Sequence, residues 1–342
     1  RNRGLTPWFH PPYTFSPPLS IYRNEMTNSL KCMAALAAAC VVYISAARAQ
    51  EPTMALPRVS VACVREEPRH SAELGTQVVM GTPVKITARH GEWMAVETPE
   101  GYHGYIIANS LQPLTDNDFD RWKQSKRVAV SSTDQTYIFS RRDHDPALRV
   151  SDVVNGSILQ TDCTTETADS LFTPVRLPDG RQGYIRTCDV MPLPYWADRK
   201  WSAEGTIAFA TAMTGTPYLW GGTTSKSADC SGMTKAAFLS QGVILPRNAS
   251  QQALVGTAVD FSDISNLIPG DLLFFGNRAT KKVNHVGMYI GHGKFIHDSG
   301  RVKINSLRKG DSDYTPLALL GARRLDSATL QRLALKNHPW YF

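Results

Sequence analysis

Tyr218-Leu219-Trp220-Gly221-Gly222, followed by Asp229-Cys230-Ser231-Gly232, is the stretch that decides the reading of this 342-residue chain. The first segment is punctuated upstream by Thr214-Gly215-Thr216-Pro217, a breaker cluster. The second opens a segment with helical spacing that runs to about Gln241, where Gly242 stops it. Three strand-like segments come next: Leu272-Leu273-Phe274-Phe275, Val286 to Ile290, and Lys294 to His297. Helices first and strands after predict an α+β domain over residues 201–325, a helix packed on an antiparallel sheet. In that arrangement Cys230 starts the helix, His285 opens one strand, and His297 closes the next.

A cysteine attacks as its thiolate. The positive end of a helix stabilises that anion and donates N–H groups to an oxyanion. An imidazole such as His285 takes the thiol proton, and a second polar group such as His297 holds that ring in its tautomer. Cys230 read alone is equally a small buried thiol in a core. A zinc site from Cys230, His285 and His297 lacks a Cys-x-x-Cys or a close histidine pair. His70, His90, His103, His144, His292 and His338 have no comparable context.

Upstream, the chain repeats itself. Gly101-Tyr102-His103-Gly104-Tyr105-Ile106 returns 79 residues later as Gly180-Arg181-Gln182-Gly183-Tyr184-Ile185. Val96 maps to Val175 and Pro113 to Pro192 at the same offset. Short alternating segments precede each copy, with turn signals at Pro99-Glu100-Gly101 and Pro178-Asp179-Gly180. Two all-β barrels are expected, at 57–113 and 126–192, with Asp116 to Lys126 a polar connector. The 79-residue offset sets Arg181 opposite Tyr102 and Pro146 opposite Glu67, so the copies differ where the first carries polar groups.

Composition is that of a folded protein, 20% charged and 42% hydrophobic. The net charge of +7 shrinks to +3 once residues 1–49 are set aside, and no basic run or aromatic-interleaved stripe occurs. Nucleic-acid binding is not expected. Residues 1–25 read as sequence upstream of a start at Met26. Residues 26–49 read as an export signal: Lys31, the apolar run Cys32 to Ala47, and Ala47-Arg48-Ala49 as the cleavage site. A lipoprotein signal ending at Cys40 is the rival reading. The apolar run is short for a membrane span. An exported protein, periplasmic or secreted, is expected. In an oxidising compartment Cys163 and Cys188 are placed to pair within the second barrel, or stay as buried thiols.

These motifs together resemble the NlpC-type cysteine peptidases preceded by two bacterial SH3-like domains. The resemblance rests on Pro217-Tyr218-Leu219-Trp220-Gly221-Gly222, Asp229-Cys230-Ser231-Gly232, Leu245-Pro246-Arg247, Pro269-Gly270-Asp271-Leu272 and the His285 strand. It implies a papain-like fold and cleavage of bacterial cell-wall peptides without a cofactor. It is nearest to the γ-D-glutamyl-diamino-acid endopeptidases of the dipeptidyl-peptidase VI type. It implies Cys230 as nucleophile, His285 as base and His297 as its orienting partner. It also implies that a free N-terminal L-Ala ammonium is held by Glu67 and Tyr102 of the first barrel, with Tyr218, Asp229 and Ser231. Glu67, in Glu66-Glu67-Pro68, reads on its own as an exposed turn residue. Two rivals remain: a hydrolase of intact wall that uses the barrels as anchors, and a non-catalytic wall-binding protein.

Overall fold

The computed structural model describes residues 52–162 and 171–342. The expected upstream segment, the export signal and Cys163 lie outside the described residues. Cys188 itself is exposed, not buried. No helix among the described residues is long and apolar enough to cross a membrane.

Residues 54–114 form a seven-stranded antiparallel sheet. Its spatial order is 74–79, 61–65, 103–107, 93–97, 84–90, 54–57, 111–114. Residues 127–192 repeat it strand for strand: 149–153, 136–139, 182–186, 172–176, 158–160, 127–130, 190–192. Alternation drives both sheets. In each barrel one face is apolar, with Val64, Val96 and Ile106 in the first and Ile138, Val175 and Ile185 in the second. The 79-residue offset holds for the second half of each copy but not the first. Arg65 pairs with Tyr105 as Phe139 pairs with Tyr184, an offset of 74. Glu67 therefore corresponds to Arg141, and Pro146 is not its counterpart.

The connector is more than polar. Thr115 caps a helix, Asp116–Gln124, whose Phe119 and Trp122 are buried. They join a core built from all parts of the described chain: Met54 and Leu56 of the first barrel, Ile158 of the second, Trp196 between barrel and peptidase, and Leu335 and Tyr341 near the C-terminus. Side chains of this size each contribute about 1.5–3 kcal/mol when buried. Polar contacts cross the same seams. Thr223 N–H donates to Gln77 Oε1 at 3.0 Å. The Lys226 ammonium bonds Asp152 and, at 3.2 Å, Ser60. The C-terminal residues beyond 325 also fold, through the helix Ser327–Leu333 and the buried Tyr341.

The third part is a six-stranded antiparallel sheet ordered 257–258, 319–324, 272–276, 283–291, 294–298, 302–306. The helices Ala203–Ala212 and Cys230–Leu239 cover one face. There Phe209, Met233, Ala237 and Phe238 meet Leu272, Phe274, Val286, Met288 and Ile296. Leu273, Phe275, Tyr289 and Phe295 point to the other face, as period-2 alternation requires. This α+β layout agrees with the expectation. The sheet registers His297 opposite Gly287, which brings the strand ends bearing His285 and His297 side by side.

Candidate active site

Cys230 is the first residue of its helix. The cap is Asp229, with extended backbone, whose side chain accepts the Gly232 N–H at 2.7 Å. Its other oxygen accepts the Gly221 N–H at 2.9 Å, tying the Tyr218 loop to the helix start. Gly221 has φ +84°, the left-handed region where a side chain is disfavoured. Arg247, 2% exposed, donates to both Asp229 oxygens and to Ser231 Oγ at 2.9 Å. Asp229 and Ser231 are thus already engaged beneath the cysteine, and the Asp229 charge is balanced by a buried guanidinium.

The Cys230 thiol is 7% exposed and faces the backbone N–H of Val286, next to His285. Burial pushes it up to about 11, helped by Asp229; the Val286 and Ser231 N–H groups and Arg247 pull it down. Burial pushes His285 down to about 3, with the neighbouring charge of His297 adding to the effect. Burial thus disfavours a lone charge on either group. Proton transfer between them makes both charges together, and each then stabilises the other.

Behind His285 runs a relay. His285 Nε2 lies 2.7 Å from His297 Nδ1, and His297 Nε2 lies 2.8 Å from Asn305 Oδ1. Asn305 Nδ2 donates to the Asp313 carbonyl at 2.6 Å, which fixes Oδ1 as the acceptor. The chain of donors then runs one way. His297 donates through Nε2, accepts at Nδ1, and so receives the Nε2–H of His285. His285 Nδ1 keeps its lone pair, the state a base requires. Asn305 was not singled out from the sequence. The signal was present: across the hairpin from His297, Lys303 is its register partner, and Asn305 shares that face two residues on.

Tyr218 is 37% exposed at the mouth. Burial first, then the nearness of Cys230 and Asp229, whose anions oppose a phenolate, push its hydroxyl up to about 12. The first barrel supplies the adjoining wall. Leu74 packs so close to Gly221 that a Cβ there would overlap its carbonyl oxygen. Beside it the Tyr102 hydroxyl bonds Glu66, not Glu67. Glu67 turns outward, 59% exposed, and pairs with Arg69 at 2.9 Å. The reason is the register shift between Val64 and Arg65 and the bend that follows; Glu66 N–H still bonds Glu73 O, and Glu67 is left in the turn. Burial and the Glu66 bond hold Tyr102 protonated well above the usual phenol range, while Arg247 acts in the opposite sense. Cys230, His285, His297, Tyr102, Tyr218, Asp229 and Ser231 are thus gathered at one end of the peptidase sheet, and Glu67 is not.

A buried thiol at a helix start, a neutral imidazole with a free nitrogen, and a relay of polar groups behind it define a papain-like cysteine peptidase. The matches agree: the NlpC/P60 family covers residues 215–323, and a bacterial SH3 domain covers residues 60–112. A gamma-D-glutamyl-L-lysine dipeptidyl-peptidase of Bacillus cereus is 30% identical over 243 residues, 66% of this chain and 67% of that protein. Dipeptidyl-peptidase 6 of Lysinibacillus sphaericus is 29% identical over 250 residues, 70% of this chain and 87% of that protein. A crystal structure of an NlpC/P60 family protein from Bacillus cereus superposes with a TM-score of 0.66 at 25% identity, covering 81% of this chain and 99% of that one. The chain belongs to the NlpC/P60 family of cysteine peptidases.

Proposed function

We propose that this peptidase hydrolyses the γ-D-glutamyl bond to a diamino acid in cell-wall peptides that begin with a free L-Ala. The Glu66–Tyr102 pair, set by the first barrel beside the cysteine, carries this reading. A carboxylate and a phenol at that place suit an ammonium; an acylated terminus would offer the carboxylate no opposite charge. The relatives support it through their names, one a dipeptidyl-peptidase 6 and one a γ-D-glutamyl-L-lysine dipeptidyl-peptidase. Export, read from residues 26–49, is consistent with a substrate released from the wall.

Chemistry then follows from the site. Cys230 Sγ attacks the γ-carbonyl as its proton passes to His285 Nδ1. The carbonyl oxygen gains charge at the helix start, beside the Tyr218 hydroxyl. The C–N bond breaks, and the His285 proton leaves on the amine of the diamino acid. A water molecule then gives its proton to His285 and its oxygen to the thioester, releasing L-Ala-γ-D-Glu and the free thiol. His297 and Asn305 hold the ring throughout.

Two peptides test this, followed by mass spectrometry: L-Ala-γ-D-Glu-L-Lys and its N-acetyl form. The expected result is cleavage of the free form, with a preference of at least about a hundredfold. Equal cleavage of both would overturn the amine-reading role and favour a hydrolase of intact wall. Cleavage of neither, with whole sacculi also untouched, would favour a binding protein.

A further inference from the structure

We propose that a buried ion pair, Lys235 with Glu100, is a positioning device that fixes the Tyr102 edge of the first barrel against the nucleophile helix and so sets selectivity for a free amino terminus. The proposal rests on the amine-reading function above. Lys235 Nζ lies 3.2 Å from Glu100 Oε1, with the side chains 11% and 3% exposed. Lys235 belongs to the helix that begins at Cys230. Glu100 is the tip of the turn Pro99-Glu100-Gly101, and Tyr102 follows at once.

The turn is tight, so what holds Glu100 also holds Tyr102. Gly101 has φ +77°. Thr98 N–H donates to the Tyr102 carbonyl at 2.9 Å, and Tyr102 N–H donates to Thr98 Oγ1 at 3.2 Å. A second hold comes from near the C-terminus: His338 Nε2 lies 3.1 Å from the Pro99 carbonyl, which can only accept. One helix thus presents the thiol at its start and grips the specificity turn further along.

An ion pair in this place is a poor way to gain stability. Removing two charges from water costs several kcal/mol per ion, and apolar pairs of similar size often do as well. Here Glu100 Oε1 has no aligned hydrogen-bond donor, so the attraction is mainly electrostatic. The small cavity beside the pair is lined by apolar Trp196, Ile244 and Leu335 together with polar Gln77, Thr223 and Thr224. Apolar contacts alone tolerate sliding, whereas a buried charge pair has one low-energy register. The second barrel makes the contrast. Its matching turn residue, Asp179, pairs with Arg181 at 2.8 Å and faces Arg58, not the catalytic helix. Arg181 stands where Tyr102 stands in the first barrel and bonds the Val150 carbonyl at 3.0 Å. Among the described residues, only the barrel that carries the Glu66–Tyr102 pair is tied to the nucleophile helix in this way.

The test uses the full chain with Lys235→Met and, separately, Glu100→Gln, which keeps the shape of the side chain and removes its charge. The readouts are kcat and KM for L-Ala-γ-D-Glu-L-Lys and its N-acetyl form, and hydrogen exchange over residues 98–103. For Lys235→Met we expect KM for the free peptide to rise about tenfold with kcat within about twofold. The free-to-acetylated preference should fall about tenfold, and exchange at 98–103 should quicken. A folded variant with the wild-type preference would overturn the proposal. Should Lys235→Met fail to fold, Glu100→Gln decides: a preference reduced about threefold supports the tether, and an unchanged one refutes it. Should the wild type show no preference for the free amine, the proposed function falls first. Exchange then decides the tether by itself, and unaltered protection at 98–103 in both variants would refute it.

Discussion

Asp298, next to His297, is a carboxyl with 0% exposure, and neither oxygen has a hydrogen-bond partner. Burial, and then the charge of Asp229, push it from 3.8 up to about 7, against a smaller opposing pull from Lys303. The folded state therefore keeps a proton that the unfolded chain releases above about pH 4. Between about pH 4 and 7 the native state binds more protons, so stability falls as pH rises and stays lower above 7. The shift of about three units corresponds to about 4 kcal/mol at 1.4 kcal/mol per unit. Solvent relaxation around the charged form should reduce this to about 2 kcal/mol. Asp298→Asn is neutral at every pH and escapes the cost. The expected result is a variant about 2 kcal/mol more stable than the wild type at pH 8, and equal to it within about 0.5 kcal/mol at pH 4. Urea denaturation followed by tryptophan fluorescence at pH 4, 6 and 8 measures this. A difference that does not change with pH, or a variant weaker at pH 8, would refute the burial argument.

Two further outcomes are expected. Glu66→Gln should lower kcat/KM for the free peptide by about 10²-fold, whereas Glu67→Gln should leave it within about twofold, since Glu67 meets only Arg69; equal effects would count against the Glu66–Tyr102 wall. Asn305→Ala removes the end of the relay and should lower kcat about tenfold without raising KM; an unchanged kcat would mean that His297 is held well enough by its packing against Phe295.

The sequence was most legible where chemistry and pattern coincide. The breaker at Thr214-Gly215-Thr216-Pro217, the helical segment opening at Cys230 and the alternating strands set out the peptidase layer, and the Gly-x-x-Gly-Tyr repeat exposed the duplication. It was least legible where the answer depends on distant contacts. Glu66 and Glu67 are adjacent and chemically alike; a register shift between Val64 and Arg65 decides which one faces Tyr102. Arg247 stands in the Leu245-Pro246-Arg247 motif, but only the fold shows that it is buried against Asp229. The connector looked polar because a helix that packs through Phe119 and Trp122 alone leaves its remaining positions to water. The cost of charging the site also escaped the motif, because a helix start favours a thiolate, while burial disfavours a lone charge on either Cys230 or His285.

The core shared by Met54, Ile158, Trp196 and Tyr341 bears on how such an enzyme can evolve. Barrels of this kind invite the picture of beads that can be gained, lost or traded between proteins. Here each bead has given part of its apolar surface to a common interior. Cutting away either one would strip the others of packing and bring the whole assembly toward unfolding in a single step. The second copy, with Arg181 in place of the tyrosine, is masonry in this sense: its Ile158 is part of the wall the others lean on.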